Sequence, residues 1–168
     1  MADRAGESLV QFSERLTGSA AFGTLFREGM DLVEETAAYL DGDGRSEARA
    51  LERSVSLTYA TESMRLTTRL MQLASWLLLH RAVKEGEMTL IQANREKTKV
   101  KLSAADPGPG EMIEKLPQHL QELIGRSMAL QGKVRRLDST IHAAPVERAP
   151  IGNPLVPQLN RLKAAFEQ

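Results

Sequence analysis

The 168-residue sequence predicts an all-α fold: a three-helix bundle with one very long central helix, a short accessory helix and a flexible C-terminal tail. Apolar residues recur every three or four positions along three long segments, which is the spacing of one face of a helix. All seven prolines lie at or beyond Pro107, so the helix breakers are confined to the last third of the chain. We therefore expect a flexible segment 1–18, a bundle domain 19–143 and a disordered or loosely docked tail 144–168.

The first helix is predicted to start after Ser19, an N-cap residue type, and to end near Leu40. Glycines at 42 and 44 then favour a helix exit. One face of this helix is apolar, and the exposed faces are acidic. The apolar positions are Phe22, Phe26, Met30, Val33, Ala37 and Leu40.

The long central helix is predicted to start after Ser46 and to run to about Glu85, because this stretch has neither proline nor glycine. Two apolar stripes on it predict packing against two partners at once. Near the C-terminal end the helix is apolar on all sides, at Trp76, Leu79 and Val83, which predicts a dimer contact or extra packing there. The first stripe holds Leu51, Val55, Tyr59, Leu66, Leu70, Leu73 and Leu77, and the second holds Leu57, Ala60, Met64, Met71, Ala74 and Leu78.

The remaining elements are shorter or richer in proline. A T-x-x-Q capping box at Thr89 predicts the accessory helix, to about Leu102, and 103–110 is a linker by composition. Pro117 suits the first turn of a third bundle helix that ends near Ile141. In the tail, a short amphipathic helix is the candidate for binding a partner, with the alternative that it docks back onto the bundle; its apolar residues are Leu155, Leu159, Leu162 and Phe166.

Several functional classes are disfavoured by composition. The chain has no cysteine, and a calcium loop between Asp41 and Glu52 fails because Ser46 stands where the turn needs glycine. The longest apolar run, 70–79, is half the length of a membrane span. We therefore predict no catalytic residues, no cofactor, no metal and no membrane contact.

Charge is unevenly distributed, although the net charge is zero. Residues 1–44 carry 3 basic and 9 acidic side chains, 45–102 carry 11 and 6, and 103–168 carry 8 and 7. The acidic first helix and the basic central region are expected to pair within a bundle or across a dimer. The basic segment 95–101 leaves open a DNA-associated regulatory protein, but no aromatic residue interleaves there to stack on a base.

Three charged residues of the central helix are a candidate recognition triad on an exposed face: Glu62, Arg65 and Arg69. The simpler interpretation, which we favour, is a solvated face with one weak ion pair. Met64 and Met71 are interpreted as core residues in preference to a docking surface.

The run YATESMRLTTRLMQ at 59–72, with ASWLL at 74–78 and GEM at 86–88, closely resembles the RcdA family of alphaproteobacteria. FREGM at 26–30 and Leu116-Pro117 extend the resemblance over most of 22–141. It implies a dimeric three-helix bundle without catalytic activity, cytoplasmic and recruited to a cell pole. Family members are adaptors of the ClpXP protease: they bind it after a response regulator has primed it, and they deliver protein substrates or a cyclic-di-GMP-binding adaptor for degradation of regulators such as CtrA.

Overall fold

The computed structural model describes residues 20–97 and 110–141, and this part of the chain is built from helices alone. The prediction of an all-α three-helix bundle is confirmed. The expected flexible segments 1–18 and 144–168 lie outside the described residues, as does nearly all of the linker 103–110. The helices are α1 (Ala20–Asp41), α2 (Asp43–Arg49), α3 (Arg53–Lys84), α4 (Leu90–Lys97), α5 (Gly110–Ile113) and α6 (Gln118–Ile141).

The three long helices α1, α3 and α6 form the bundle. Helix α1 runs antiparallel to α3, since Phe22 at its start lies 6.4 Å, between ring centroids, from Trp76 in the C-terminal half of α3. It also runs antiparallel to α6, where Lys133 bonds to Glu28 and Arg126 bonds to Glu35. Consequently α3 and α6 run parallel, and their C-terminal ends lie at the same end of the bundle.

The core fills the space between these three helices. The first apolar stripe of the central helix is confirmed as its core face, because Leu66 and Leu77 are fully buried there. The second stripe is not packed within the chain, so the prediction that both stripes face partners in the same bundle is wrong. Helix α6 contacts α3 instead at Arg69 and Trp76, which bond to Ser127 and Asp138. The fully buried apolar residues of α6 are Leu120, Leu123, Leu130 and Val134.

The central helix is interrupted near its start, so the prediction of one continuous helix from Ser46 to Glu85 is wrong. Helix α2 ends at Arg49, with Ala50 as its C-cap, and Glu52 adopts an extended conformation before α3 begins. Tertiary contacts explain the break: Tyr39 donates a 2.6 Å hydrogen bond to Glu47, which holds α2 against the end of α1. Burial is the main reason that the pKa of Tyr39 is raised, so this hydroxyl stays protonated and able to donate.

Gly44 allows α2 to approach this closely. A Cβ atom at this position would lie 2.6 Å from Tyr59 Oη and 2.7 Å from the backbone oxygen of Tyr39. We expect Gly44→Ala to destabilise the protein by about 1–3 kcal/mol, because a backbone atom cannot move aside as a side chain can. Urea unfolding measures this change.

The matched control is Gly125→Ala, because a Cβ there would meet no atom within 4 Å in the middle of α6. It should stabilise the protein by about 1 kcal/mol, the difference in helix propensity. Equal effects of the two substitutions would contradict the close packing at Gly44.

Helix α4 begins as predicted. The capping box is confirmed by reciprocal hydrogen bonds, from Thr89 N to Gln92 Oε1 at 2.9 Å and from Gln92 N to Thr89 Oγ1 at 3.1 Å. Gly86 takes a φ of 76° in the turn before it, a conformation that glycine adopts readily. Helix α4 is described only to Lys97, so its expected end near Leu102 lies outside the described residues.

Candidate interaction surfaces

The most conspicuous surface feature is an exposed apolar stripe on α3. Four large apolar side chains recur every seven residues and face solvent: Leu57 (71% exposed), Met64 (72%), Met71 (66%) and Leu78 (52%). Ala60, Thr67 and Ala74 alternate with them at spacings of three and four. We call these seven residues the α3 stripe. Met64 and Met71 are therefore not core residues, and that interpretation is corrected.

The α3 stripe has the spacing of a coiled-coil seam. Apolar residues that alternate at three and four positions form a continuous line along a helix, and they pack side by side with the same line on a second helix. The stripe runs from Leu57 to Leu78, which is 22 residues or about 30 Å of helix. An exposed line of this length is typical of a protein interface.

Removing the polar groups around the stripe from water costs little free energy, because their hydrogen bonds are already made within the helix. The hydroxyls of Thr58, Thr61, Thr67 and Ser75 each bond to the backbone oxygen four residues earlier, at 2.8 to 3.3 Å. The charged residues of α3 between Leu57 and Leu78 are Glu62, Arg65 and Arg69, which lie on the opposite side of the helix. A partner can therefore cover the stripe without burying an unpaired charge.

A groove between α1 and α3 widens this apolar surface. It encloses about 170 Å³ and is bordered on the α1 side by Val33, Thr36, Ala37 and Leu40. Met71 and Ala74 of the α3 stripe form its other wall. Thr36 is buried beneath it, and its hydroxyl has no hydrogen-bond partner within the described ranges. The apolar surface therefore covers two helices. Periodicity places Val33, Ala37 and Leu40 on the apolar face of α1, but apart from Phe22 the buried face of α1 lies one position earlier, at Leu25, Gly29, Leu32, Thr36 and Tyr39.

The predicted recognition triad lies in a different environment from the one expected. Glu62 and Arg69 are each only 2% exposed, so the expectation of a solvated face is wrong for these two residues. Arg65 is partly exposed and bonds to Glu62 at 2.7 Å. Arg69 donates a 2.8 Å bond to Ser127 of α6, and Ser127 in turn donates to the backbone oxygen of Ile124.

Two opposing effects act on the buried charge of Arg69. Burial lowers the pKa of Arg69, and the nearby negative charge of Glu62 opposes this effect. The bond from Arg69 to Ser127 joins α3 to α6. Because its donor is charged, it is stronger than a hydrogen bond between neutral groups. A partner-binding role for this triad stays a prediction, and Arg65 is its most accessible member.

Trp76, a predicted dimer or packing residue, is covered within its own chain. Its indole Nε1 donates a 2.9 Å bond to Asp138 Oδ1, and its ring stacks on His80 at 3.9 Å between centroids. Lys97 of α4 bonds to the other oxygen of Asp138 at 2.6 Å. Asp138 thus joins three helices. Leu79 and Val83, the other two predicted residues, are half-buried.

The acidic side chains of α1 pair with α6. Glu28 bonds to Lys133, and Glu35 bonds to both Arg126 and His119. The hydrogen bond from Arg126 is the largest cause of the lowered pKa of Glu35. Within one chain, the expected pairing of the acidic first helix with the basic central region is therefore corrected: among the described residues, the ion pairs of α1 with another bundle helix go to α6. Pairing across a dimer stays a prediction.

The basic segment 95–101 is described only as far as Lys97. Arg95 is exposed in the last turn of α4, whereas Lys97 is engaged by Asp138. Lys99 and Lys101 lie outside the described residues, as do the tail residues Leu155, Leu159, Leu162 and Phe166. Within 20–97 and 110–141, no group of His, Asp or Glu side chains is arranged to hold a metal ion. Nor is any helix of that part long and apolar enough to span a membrane.

Taken together, the fold and its surface define an all-α bundle protein with an extended apolar interaction face on α1 and α3. The chain belongs to the family described as "Protein of unknown function (DUF1465)", whose sequence profile matches residues 13–166. It is similar to RcdA from Caulobacter crescentus CB15, known from a crystal structure, with 49% identity and a TM-score of 0.63. The match covers 75% of this chain and 94% of that one, and it confirms the resemblance to the RcdA family. No curated protein matches this chain significantly.

Proposed function

We propose that this protein is a non-enzymatic adaptor of regulated proteolysis that works as a homodimer. The observation that carries the proposal is the α3 stripe, whose four large apolar side chains face solvent in the single chain. The likeness to RcdA, at 49% identity, supplies the adaptor role. A stable bundle with a large apolar face and uncharged surroundings suits a protein whose activity consists of binding other proteins.

The homodimer would form through the α3 stripe and the adjoining α1 groove of two copies. Two seams of the same spacing are complementary to each other, as a two-fold interface requires. Trp76 does not take part in this dimer, because it is only 1% exposed in its own chain. We therefore propose the dimer interface at the α3 stripe and not at Trp76, Leu79 and Val83, for which the sequence predicted either a dimer contact or extra packing.

The partners follow from the family resemblance. We infer that the dimer binds the ClpXP protease after a response regulator has primed it, and that it delivers protein substrates or a further cyclic-di-GMP-binding adaptor. Tethering raises the effective concentration of a substrate at the protease, which increases the degradation rate without any chemistry in the adaptor. CtrA is the proposed substrate, and the site of action is the cytoplasm, at a cell pole.

A reconstituted degradation assay tests this proposal. It contains ClpXP, the primed response regulator, the cyclic-di-GMP-binding adaptor with its nucleotide, and CtrA. Adding the protein should increase the rate of CtrA loss by at least about tenfold, because tethering raises the effective concentration of the substrate at the protease. A rate that does not change with the concentration of the protein would contradict the adaptor role. Omitting the response regulator is the control, and it should abolish the increase.

A further inference from the structure

The turn between α3 and α4 forms a second apolar recess, separate from the α3 stripe. It has a volume of about 440 Å³ and is lined by Val83 and by the turn residues from Gly86 to Gln92. Ile91 stands at its edge and is 69% exposed. We call this recess the hairpin groove. Ile91 lies in the first turn of α4, where many polar residues have a helix propensity as high as that of isoleucine. Helix formation alone therefore does not require an apolar residue at this exposed position.

The described part of the chain ends at the same end of the bundle as the hairpin groove. Asp138, one turn before the end of α6, is bonded to Trp76 and Lys97. Val83 lies two turns beyond Trp76 on the same face of α3, about 10 Å along its axis. Since α3 and α6 run parallel, the chain leaves α6 in the direction that leads from Trp76 to Val83.

The C-terminal segment 155–166 has the chemistry to occupy this groove. Leu155, Leu159, Leu162 and Phe166 share one face at helical spacing, and Arg161 and Lys163 lie between them. The groove presents the opposite charge at Glu87, which lines it and is exposed, whereas Glu85 beside it is already paired with Arg81 at 2.9 Å. The 14 residues from Ile141 to Leu155 span up to about 45 Å when extended, which is ample for the distance.

We propose that residues 155–166 dock in the hairpin groove of their own chain. The apolar face of the segment covers Val83 and Ile91, and its basic residues are attracted to the exposed carboxylate of Glu87. While docked, the segment and the groove are both unavailable to other proteins, so an interaction through either one requires their release. This proposal is independent of the adaptor role and of the dimer through the α3 stripe.

Engineered cysteine pairs test the docking in the full-length protein. The natural chain contains no cysteine, so two introduced thiols are the sole pair that can form a disulfide. Ile91→Cys with Phe166→Cys places one thiol at the groove and one in the segment. The control, Arg27→Cys with Phe166→Cys, uses an exposed position of α1 at the same end of the bundle. Dilute protein is oxidised with copper phenanthroline, and the products are separated by electrophoresis.

Docking predicts an intramolecular disulfide in the Ile91 pair that forms at least about tenfold faster than in the Arg27 pair, because a free tail samples both sites at a similar effective concentration. Equal rates would overturn the proposal. So would a product that is mainly a covalent dimer, since the segment would then occupy a second copy.

Hydrogen–deuterium exchange supplies an independent measurement on the same chain. Amides of residues 155–166 should exchange slowly in the wild type and as fast as an unstructured peptide in Ile91→Glu, with Arg27→Glu unchanged as the control. Ile91 is exposed, so its substitution leaves the bundle intact. Fast exchange in the wild type, or unaltered exchange in Ile91→Glu, would contradict the docking.

Discussion

Replacing Met64 and Met71 by glutamate should convert the protein from a dimer into a monomer. The mass in solution is expected to fall from twice the 18.5 kDa chain mass to that mass itself. Each copy contributes two stripe positions, so the dimer interface would have to bury four carboxylates without partners. Burying one ionised group without a partner costs several kcal/mol. The dissociation constant should therefore rise by at least about a thousandfold, which corresponds to about 4 kcal/mol.

Analytical ultracentrifugation over a range of concentrations measures this change. The matched control is Ala129→Glu with Ser139→Glu, which adds the same charge at two exposed positions of α6. The control should remain dimeric, and both variants should keep the helical content of the wild type because all four positions are exposed. Equal masses for the two variants would contradict dimerisation through the α3 stripe.

Replacing Arg69 by alanine should have the largest effect on stability among substitutions of charged residues in the described part. Arg69 is 2% exposed and bonds to Ser127 across the interface of α3 and α6. Its removal takes away the hydrogen-bond donor to Ser127 and a positive charge near Glu62, which is equally buried and keeps its 2.7 Å ion pair with Arg65. Losing a hydrogen bond from a charged donor, together with the packing of a buried side chain, should cost about 2–4 kcal/mol, and urea unfolding measures it.

A double substitution separates the charge effect from the packing effect. Arg69→Met with Glu62→Leu removes both charges and keeps most of the volume, so it should be less destabilising than Arg69→Ala alone. Lys133→Ala is a second control, because its ion pair with Glu28 joins two partly exposed side chains and should contribute about 1 kcal/mol or less. A loss for Arg69→Ala no greater than that for Lys133→Ala would show that the buried charge does not hold the two helices together.

Much of the fold follows from the sequence because helix periodicity is a local property. The core face of α3, the capping box at Thr89 and the helix that follows Pro117 all depend on residues within a turn or two of each other. The break before Arg53 was not predictable in this way. It depends on the bond between Tyr39 and Glu47 and on the close approach at Gly44, which are contacts between different helices.

The interaction surface was predictable in part. The second apolar stripe was identified from its spacing, but periodicity does not show whether such a stripe faces the core or solvent. Conversely, charge alone suggested that Glu62 and Arg69 are exposed, whereas Ser127 of α6 provides a polar partner that allows Arg69 to be buried. The side of α3 on which α6 packs decides whether the second stripe is exposed and whether Glu62 and Arg69 are buried. The packing of the whole bundle sets that side, and local periodicity does not report it.

Methionine oxidation in the intact protein tests the α3 stripe most directly. Met64 and Met71 are 72% and 66% exposed in the single chain, so dilute hydrogen peroxide should oxidise them readily when the chains are apart. The dimer predicts that both oxidise progressively more slowly as the protein concentration rises through the dissociation constant, whereas Met112, away from the stripe, keeps a constant rate. Rates at Met64 and Met71 that do not depend on concentration would contradict the assignment of this surface.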